Sequence, residues 1–242
     1  MHIVGIDLAW GEKKSDGVFH ISTSGRSARV VGMSYPQGDT ELIEALRPVL
    51  HPGRTALLTI DAPIVCPNRT GTRPVDRLTH RMFHREHAAC HPANSTKCPR
   101  PPRLRRKLET LGAITGWEIR PGSITAAEVY PHPAMVRLFR LERIIKYKKG
   151  RVAERRTEFG RLQREMRDLL ARDFPWLTTG TEADHLLRSP WSKTIEDLTD
   201  AFFCALIGLW HWRYRGKRSE VIGNATSGFI LLPEDRRREN QK

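Results

Sequence analysis

The chain has 242 residues, with 41 Lys and Arg against 27 Asp and Glu, a formal net charge of +14 near neutral pH. Hydrophobic residues make up 39%, enough for a folded core, which excludes a wholly disordered chain. No apolar run reaches the ~18 residues of a membrane helix, and MHIVGIDLAW lacks the charged and apolar halves of a signal peptide. With only four cysteines, the expectation is a reduced, cytoplasmic protein without a membrane partner.

Residues 2–8 (HIVGIDL) are short, apolar and β-rich, and predict a buried strand. Residues 17–22 and 27–33 predict two more, joined by the turn Thr23-Ser24-Gly25-Arg26 into an antiparallel hairpin. Leu42, Ile43, Leu46, Val49 and Leu50 fall at helical spacing over 39–50, with Pro48 disturbing the last turn. Residues 55–61 form a fourth strand, stopped by Pro63. A helix between strands implies that the fourth strand runs parallel to another strand of the sheet.

Residues 66–103 are rich in Pro, His, Arg and Cys, with a short helix at 74–88, and a second short helix follows at 104–112. The stretch of approximately 66–115 reads as an insertion. Residues 123–130 are a fifth strand, followed by helices at 133–141, 151–171 and 194–214, the last the most apolar. Residues 227–232 (SGFILL) predict a final edge strand, and 233–242 a charged tail. The whole, 1–242, reads as one α/β domain.

Carboxylates inside apolar segments are costly unless paired or metal-bound. Asp7 and Asp61 lie at the ends of the first and fourth strands, and Glu128 lies in the fifth. Sites of open α/β sheets gather at such strand ends. Asp197 and Asp200 open the apolar helix on one face, and Ala201, Cys204, Ala205 and Gly208 continue that side with small residues, so the helix can lie close on a sheet. Convergent carboxylates suit Mg²⁺ or Mn²⁺, and two such ions are a standard device for phosphodiester cleavage. Taken singly, the same acids also read as caps and turn formers.

The positive charge is uneven. Residues 97–107 hold Lys97, Arg100, Arg103, Arg105, Arg106 and Lys107 without an acid, and residues 137–167 hold 12 basic and 4 acidic residues. Such an excess favours a polyanionic partner, although a solvated surface carries the same pattern. Lys146, Lys148, Lys149, Arg151, Arg155 and Arg156 would neutralise a nucleic-acid backbone without reading bases. Arg73 and Asp76 read either as a substrate contact or as a salt bridge.

The ordered set Gly5-Ile6-Asp7-Leu8-Ala9-Trp10, Ile60-Asp61-Ala62-Pro63, Gly71-Thr72-Arg73-Pro74-Val75-Asp76, Glu128-Val129-Tyr130-Pro131 and Asp197-Leu198-Thr199-Asp200-Ala201 resembles the domain-of-unknown-function 429 family, described as predicted nucleases of RNase H fold. The resemblance runs from residue 3 to about residue 232. The Asp-x-x-Asp-Ala ending is also similar to bacterial Holliday-junction resolvases. The resemblance implies an RNase H-like mixed sheet in the order 3-2-1-4-5 with helices on both faces. It also implies a two-ion nuclease in which Asp7, Asp61, Glu128 and Asp200 bind metal and Asp197 assists. Asp7 would bridge the two ions, with Asp61 and Glu128 each holding one side.

Two readings of other classes stand beside it: a nucleic-acid-binding protein without catalysis, and a nucleotide-binding phosphotransferase on the same fold, suggested by Gly11-Glu12-Lys13-Lys14. His84, His87, Cys90 and Cys98 offer N and S donors for zinc, but without a Cys-x-x-Cys pair their spacing is not that of a finger. Trp117, Trp176, Trp191, Trp210 and Trp212 read as packing residues; Trp10, beside Asp7, is placed to touch a substrate.

Overall fold

The computed structural model describes residues 1–235; residues 236–242 of the expected charged tail lie outside them. The chain forms β1 (His2–Asp7), β2 (Gly17–Ser24), β3 (Ser27–Ser34), α1 (Gly38–Leu46), β4 (Ala56–Asp61), α2 (Pro74–Phe83) and α3 (Arg100–Thr110). It continues through β5 (Ala113–Thr115), β6 (Ile124–Glu128), α4 (Pro131–Leu138), α5 (Val152–Asp173), β7 (Leu177–Thr178), α6 (Gly180–Leu186), α7 (Lys193–Arg213), β8 (Ser219–Asn224) and β9 (Gly228–Pro233).

Seven strands make a mixed sheet in the order β5-β6-β4-β1-β2-β3-β7. The five strands expected from hydrophobic patterning are its centre, β3-β2-β1-β4-β6, with β1 antiparallel to β2 and parallel to β4. The two edges were not expected. β5 is only three residues long and β7 two, too short for an alternating pattern to register. Because β5 pairs with β6, the end of the expected insertion belongs to the central sheet.

The segment 227–232 is not an edge of that sheet. It is β9, buried at all six positions, and it pairs with β8 in a separate hairpin. The turn between them is held by Asn224, whose Oδ1 accepts from the backbone of Thr226 and Ser227. β9 meets the central sheet through one bridge, Val129 with Leu231.

α7 organises the core. Its residues from Glu196 to His211 are all buried, as expected of a helix that is apolar on every side. It crosses β1, β2 and β4 at very short range. A Cβ at Gly5 would stand 2.0 Å from the Ala201 carbonyl oxygen, and one at Gly17 would stand 2.3 Å from that of Asp197. Further along, a Cβ at Gly208 would press on Ile3 and Thr59 at 2.9 Å. Small residues on both partners therefore set the approach. Thr59 seals it by donating its hydroxyl to the Cys204 carbonyl at 2.8 Å.

Candidate active site

The parallel pairing of β1 and β4 puts Asp7 directly opposite Asp61. Side chains along a strand alternate between faces, so Asp7 shares the face of Gly5 and Asp61 that of Thr59. That face is the one α7 covers. Asp200, in the first turns of α7, is completely buried over the same ground. Three carboxylates thus gather where the sheet ends and the helix begins.

The loop between α4 and α5 supplies their counter-charge. The Lys148 ammonium stands 2.7 Å from Asp200 Oδ2, and the Tyr147 hydroxyl donates to Asp200 Oδ1 at 2.6 Å. Burial raises the Asp7 carboxyl well above the ordinary carboxylate range, with Asp200, Asp61 and Asp197 adding to the rise and Lys148 opposing it. Burial likewise lifts Asp61 to about 7 and raises Asp200. Burial would by itself lower the Lys148 ammonium, but Asp200, Tyr147, Asp7 and Asp61 hold it well above the usual lysine value. A single cation in an acidic group is what mutual carboxylate repulsion demands. Neither Tyr147 nor the Lys148 contact with the acids was expected from the sequence, where Lys148 read as one more basic residue of a charged loop.

Glu128 stands apart from this group. The register pairs it with Ile60 and not with Asp61, which turns it toward the other face of the sheet. There Arg73 grips both its oxygens, at 2.7 and 2.9 Å. The same guanidinium binds Asp76 at 2.8 Å and the Val65 carbonyl at 3.0 Å. Burial pushes the Glu128 carboxyl up to about 7 against the pull of Arg73. All three side chains are buried, so Arg73 forms a structural ion pair and is not presented to a phosphate.

Asp197 is also held, by the Tyr35 hydroxyl and the Lys193 ammonium, both at 2.7 Å. A cavity of about 60 Å³ opens between Trp10, Asp61, Glu128 and Tyr130, bringing Trp10 to the acids as its sequence position suggested. A second buried network fixes the neighbouring loops. Arg100, which read as part of a basic surface, donates to Asp16 at 2.6 and 2.8 Å and to Asp39 at 2.8 Å. Its contacts to the Ala9 and Gly11 carbonyls tie α3 to the loop that follows Asp7.

Among the other expected phosphate contacts, Lys146, Lys149, Arg151 and Arg156 are exposed, and Arg155 lies over the Trp191 ring at 4.8 Å. The zinc candidates do not converge. His84 stacks on His80, while Cys98 turns to the Cys66 thiol and the Asn94 carbonyl. Among the described residues, no three His, Cys, Asp or Glu side chains stand ready around a metal position. Nor is any described helix long and apolar enough to cross a membrane.

The fold and site define an α/β protein with a half-buried carboxylate pair at the ends of adjacent parallel strands, beneath a buried third acid. The chain belongs to the family described as protein of unknown function (DUF429), which matches residues 5–226. Comparison with curated proteins and with solved structures returns no match.

Proposed function

We propose that this protein is a divalent-metal-dependent nuclease of RNase H-like architecture, hydrolysing phosphodiester bonds at Asp7, Asp61 and Asp200. The observation that carries this reading is the in-register pair Asp7 and Asp61 beneath Asp200, raised by burial and held by one ammonium. The donor chemistry is of the kind Mg²⁺ or Mn²⁺ accepts, all oxygen and densely anionic, but the three acids would have to close on one position, with Lys148 displaced from Asp200, to hold an ion. Asp7, Asp61 and Asp200 would hold the ion, which when bound supplies a more acidic water and a polarised phosphate.

The chain's own groups do the rest. Burial lifts Asp61 to about 7 with only Lys148 to offset it, and a bound divalent ion would hold it as the carboxylate. Tyr147 and Lys148 orient the two oxygens of Asp200. Lys148 neutralises the acids until they are engaged. Lys146, Lys149, Arg151 and Arg156 line an exposed basic stretch continuous with that loop, suited to a sugar-phosphate backbone. A two-ion arrangement would further require Glu128 to leave Arg73.

A second reading draws on the same ion pairs. Lys148 and Arg73 already satisfy Asp200 and Glu128, which suits a nucleic-acid-binding protein that does not cleave. The two readings separate on metal titration by calorimetry. The nuclease reading expects saturable Mn²⁺ binding that disappears in Asp7→Asn; heat unchanged from buffer would favour the binding protein.

A further inference from the structure

An open cavity of about 1070 Å³ lies at the other end of the sheet from the acids, slightly above the ~300–1,000 Å³ usual for small-molecule sites. Four segments wall it: the turn between β2 and β3, the loop between β5 and β6, the chain that ends α7, and the start of β8. Asp200 and His211 both belong to α7, so the cavity is about 16 Å along the helix from the acidic group at ~1.5 Å per residue.

Its lining combines two chemistries. Arg26, Arg120, Arg213 and Arg215 face it, against one acid, Glu118, which is already paired with Arg120 at 2.5 Å. Arg213 is likewise committed, donating to the Arg26 carbonyl and lying over the Trp176 ring at 4.7 Å. Arg26 and Arg215 are exposed and make no ion pair among the described residues. Arg215 moreover adopts φ of 50°, a left-handed backbone uncommon for a bulky residue.

The second chemistry is aromatic. Trp117, Trp212 and Tyr214 line the cavity, the two tryptophans each braced from behind by another ring. Phe229 meets Trp117 at 5.0 Å and Trp176 meets Trp212 at 5.9 Å, while Tyr214 is taken up by Trp210 at 4.6 Å and by the Arg218 guanidinium 5.2 Å over its ring. Rings held this way offer planar surfaces at little entropic cost. Beside them, the buried His211 donates Nε2–H to the Trp117 carbonyl at 2.8 Å. Its Nδ1 is therefore an acceptor, and it has no partner. A buried polar atom left unsatisfied calls for an explanation.

We propose that this cavity binds a nucleoside monophosphate, with the phosphate on Arg26 and Arg215 and the base against Trp117 and Trp212. Unpaired guanidinium groups suit phosphate, because their planar donors match its oxygens. Braced aromatic faces suit a base, by stacking. The site is separate from the carboxylate cluster and does not depend on its being a nuclease.

The test is intrinsic tryptophan fluorescence of the full chain, titrated with AMP, with adenosine and with inorganic phosphate. AMP should quench saturably, with adenosine and phosphate each at least tenfold weaker. The double variant Arg26→Gln/Arg215→Gln should weaken AMP at least tenfold with an unchanged melting temperature. Asp7→Asn, at the other end of the sheet, should bind AMP as the parent does. Phosphate binding as tightly as AMP would overturn the aromatic half of the site. Equal AMP affinity in the double variant, or loss of AMP binding in Asp7→Asn, would overturn the location. Absence of saturable quenching would overturn the proposal outright.

Discussion

Asp7 and Asp61 face each other across adjacent parallel strands, on the side of the sheet that α7 covers. Neighbouring strands lie ~4.8 Å apart, so two half-buried carboxylates stand close together. Burial raises both, Asp61 to about 7. A carboxyl whose pKa is higher folded than unfolded binds its proton more tightly when folded. The folded state therefore loses stability as pH rises from the unfolded value of ~4 through about 7. Asp7→Asn removes one of the charges. Its melting temperature should match the parent near pH 4 and exceed it increasingly toward pH 7. Thermal melts across that range decide it; a variant that melts several degrees lower at pH 8 would contradict the assignment.

The Arg73 pairs make a separate claim about stability. Glu128 and Asp76 are both buried and both depend on this one guanidinium. Arg73→Met would leave two buried carboxyls without their cation, at a cost of about 3–5 kcal/mol. Glu128→Gln keeps the shape and one acceptor, and should cost less. Urea unfolding measures both. A loss under about 1 kcal/mol in Arg73→Met would show that the pair is not a structural tie.

Close docking of α7 was legible in outline: Ala201, Ala205 and Gly208 mark a small-residue side, and the helix uses it against Gly5 and Gly17. Gly5→Ala should therefore cost about 3 kcal/mol or more, since its Cβ meets backbone that cannot yield locally. Gly11→Ala, where a Cβ meets nothing within 4 Å, is the control and should change stability little. Equal melting temperatures for the two variants would refute the close approach.

Much of the site was readable because strand ends and helix starts announce themselves through local pattern. Asp7, Asp61 and Asp200 were found that way. Glu128 was misplaced because parity between strands depends on register, and a one-residue shift moves a side chain to the other face. Nothing local to Ala126-Ala127-Glu128 tells whether Glu128 aligns with Ile60 or Asp61. Arg100 read as surface charge because its partner Asp16 is distant in sequence; for Arg73 the sequence offered the salt bridge to Asp76, which forms, but not the one to the distant Glu128. β8 escaped notice because its Ser-Glu-Val-Ile-Gly-Asn sequence is only weakly apolar and is recognised only by its pairing with β9.

Two histidines set the acid limit. Burial lowers His20 to about 4 and His132 to about 3. A histidine depressed in the folded state contributes full stability above its unfolded value of ~6.5 and loses it as pH falls from there toward the folded value. The raised carboxyls act the opposite way over the same window, so the histidine contribution is read by difference: His132→Gln should gain melting temperature on the parent increasingly as pH falls below ~6.5. A variant with the parent's full slope would remove His132 from the account.

Exposed Lys146 and Lys149 should contribute to any nucleic-acid contact through counterion release. The double variant Lys146→Gln/Lys149→Gln should lower the slope of log affinity against log salt by about 2, with no change in sequence preference. Fluorescence anisotropy on labelled oligonucleotides from low to moderate salt measures it. An unchanged slope would take this loop out of the interface.

Asp7, Asp61 and Asp200 are the proposed metal-dependent nuclease centre. The most direct measurement is cleavage of labelled single-stranded, duplex and branched DNA and RNA in Mg²⁺, Mn²⁺ or EDTA, with Asp7→Asn in parallel. Cutting should stop in EDTA and disappear in Asp7→Asn, while the variant melts at or above the parent's temperature. Full cleavage by Asp7→Asn, or no cleavage of any substrate by the parent chain with either ion, would contradict it.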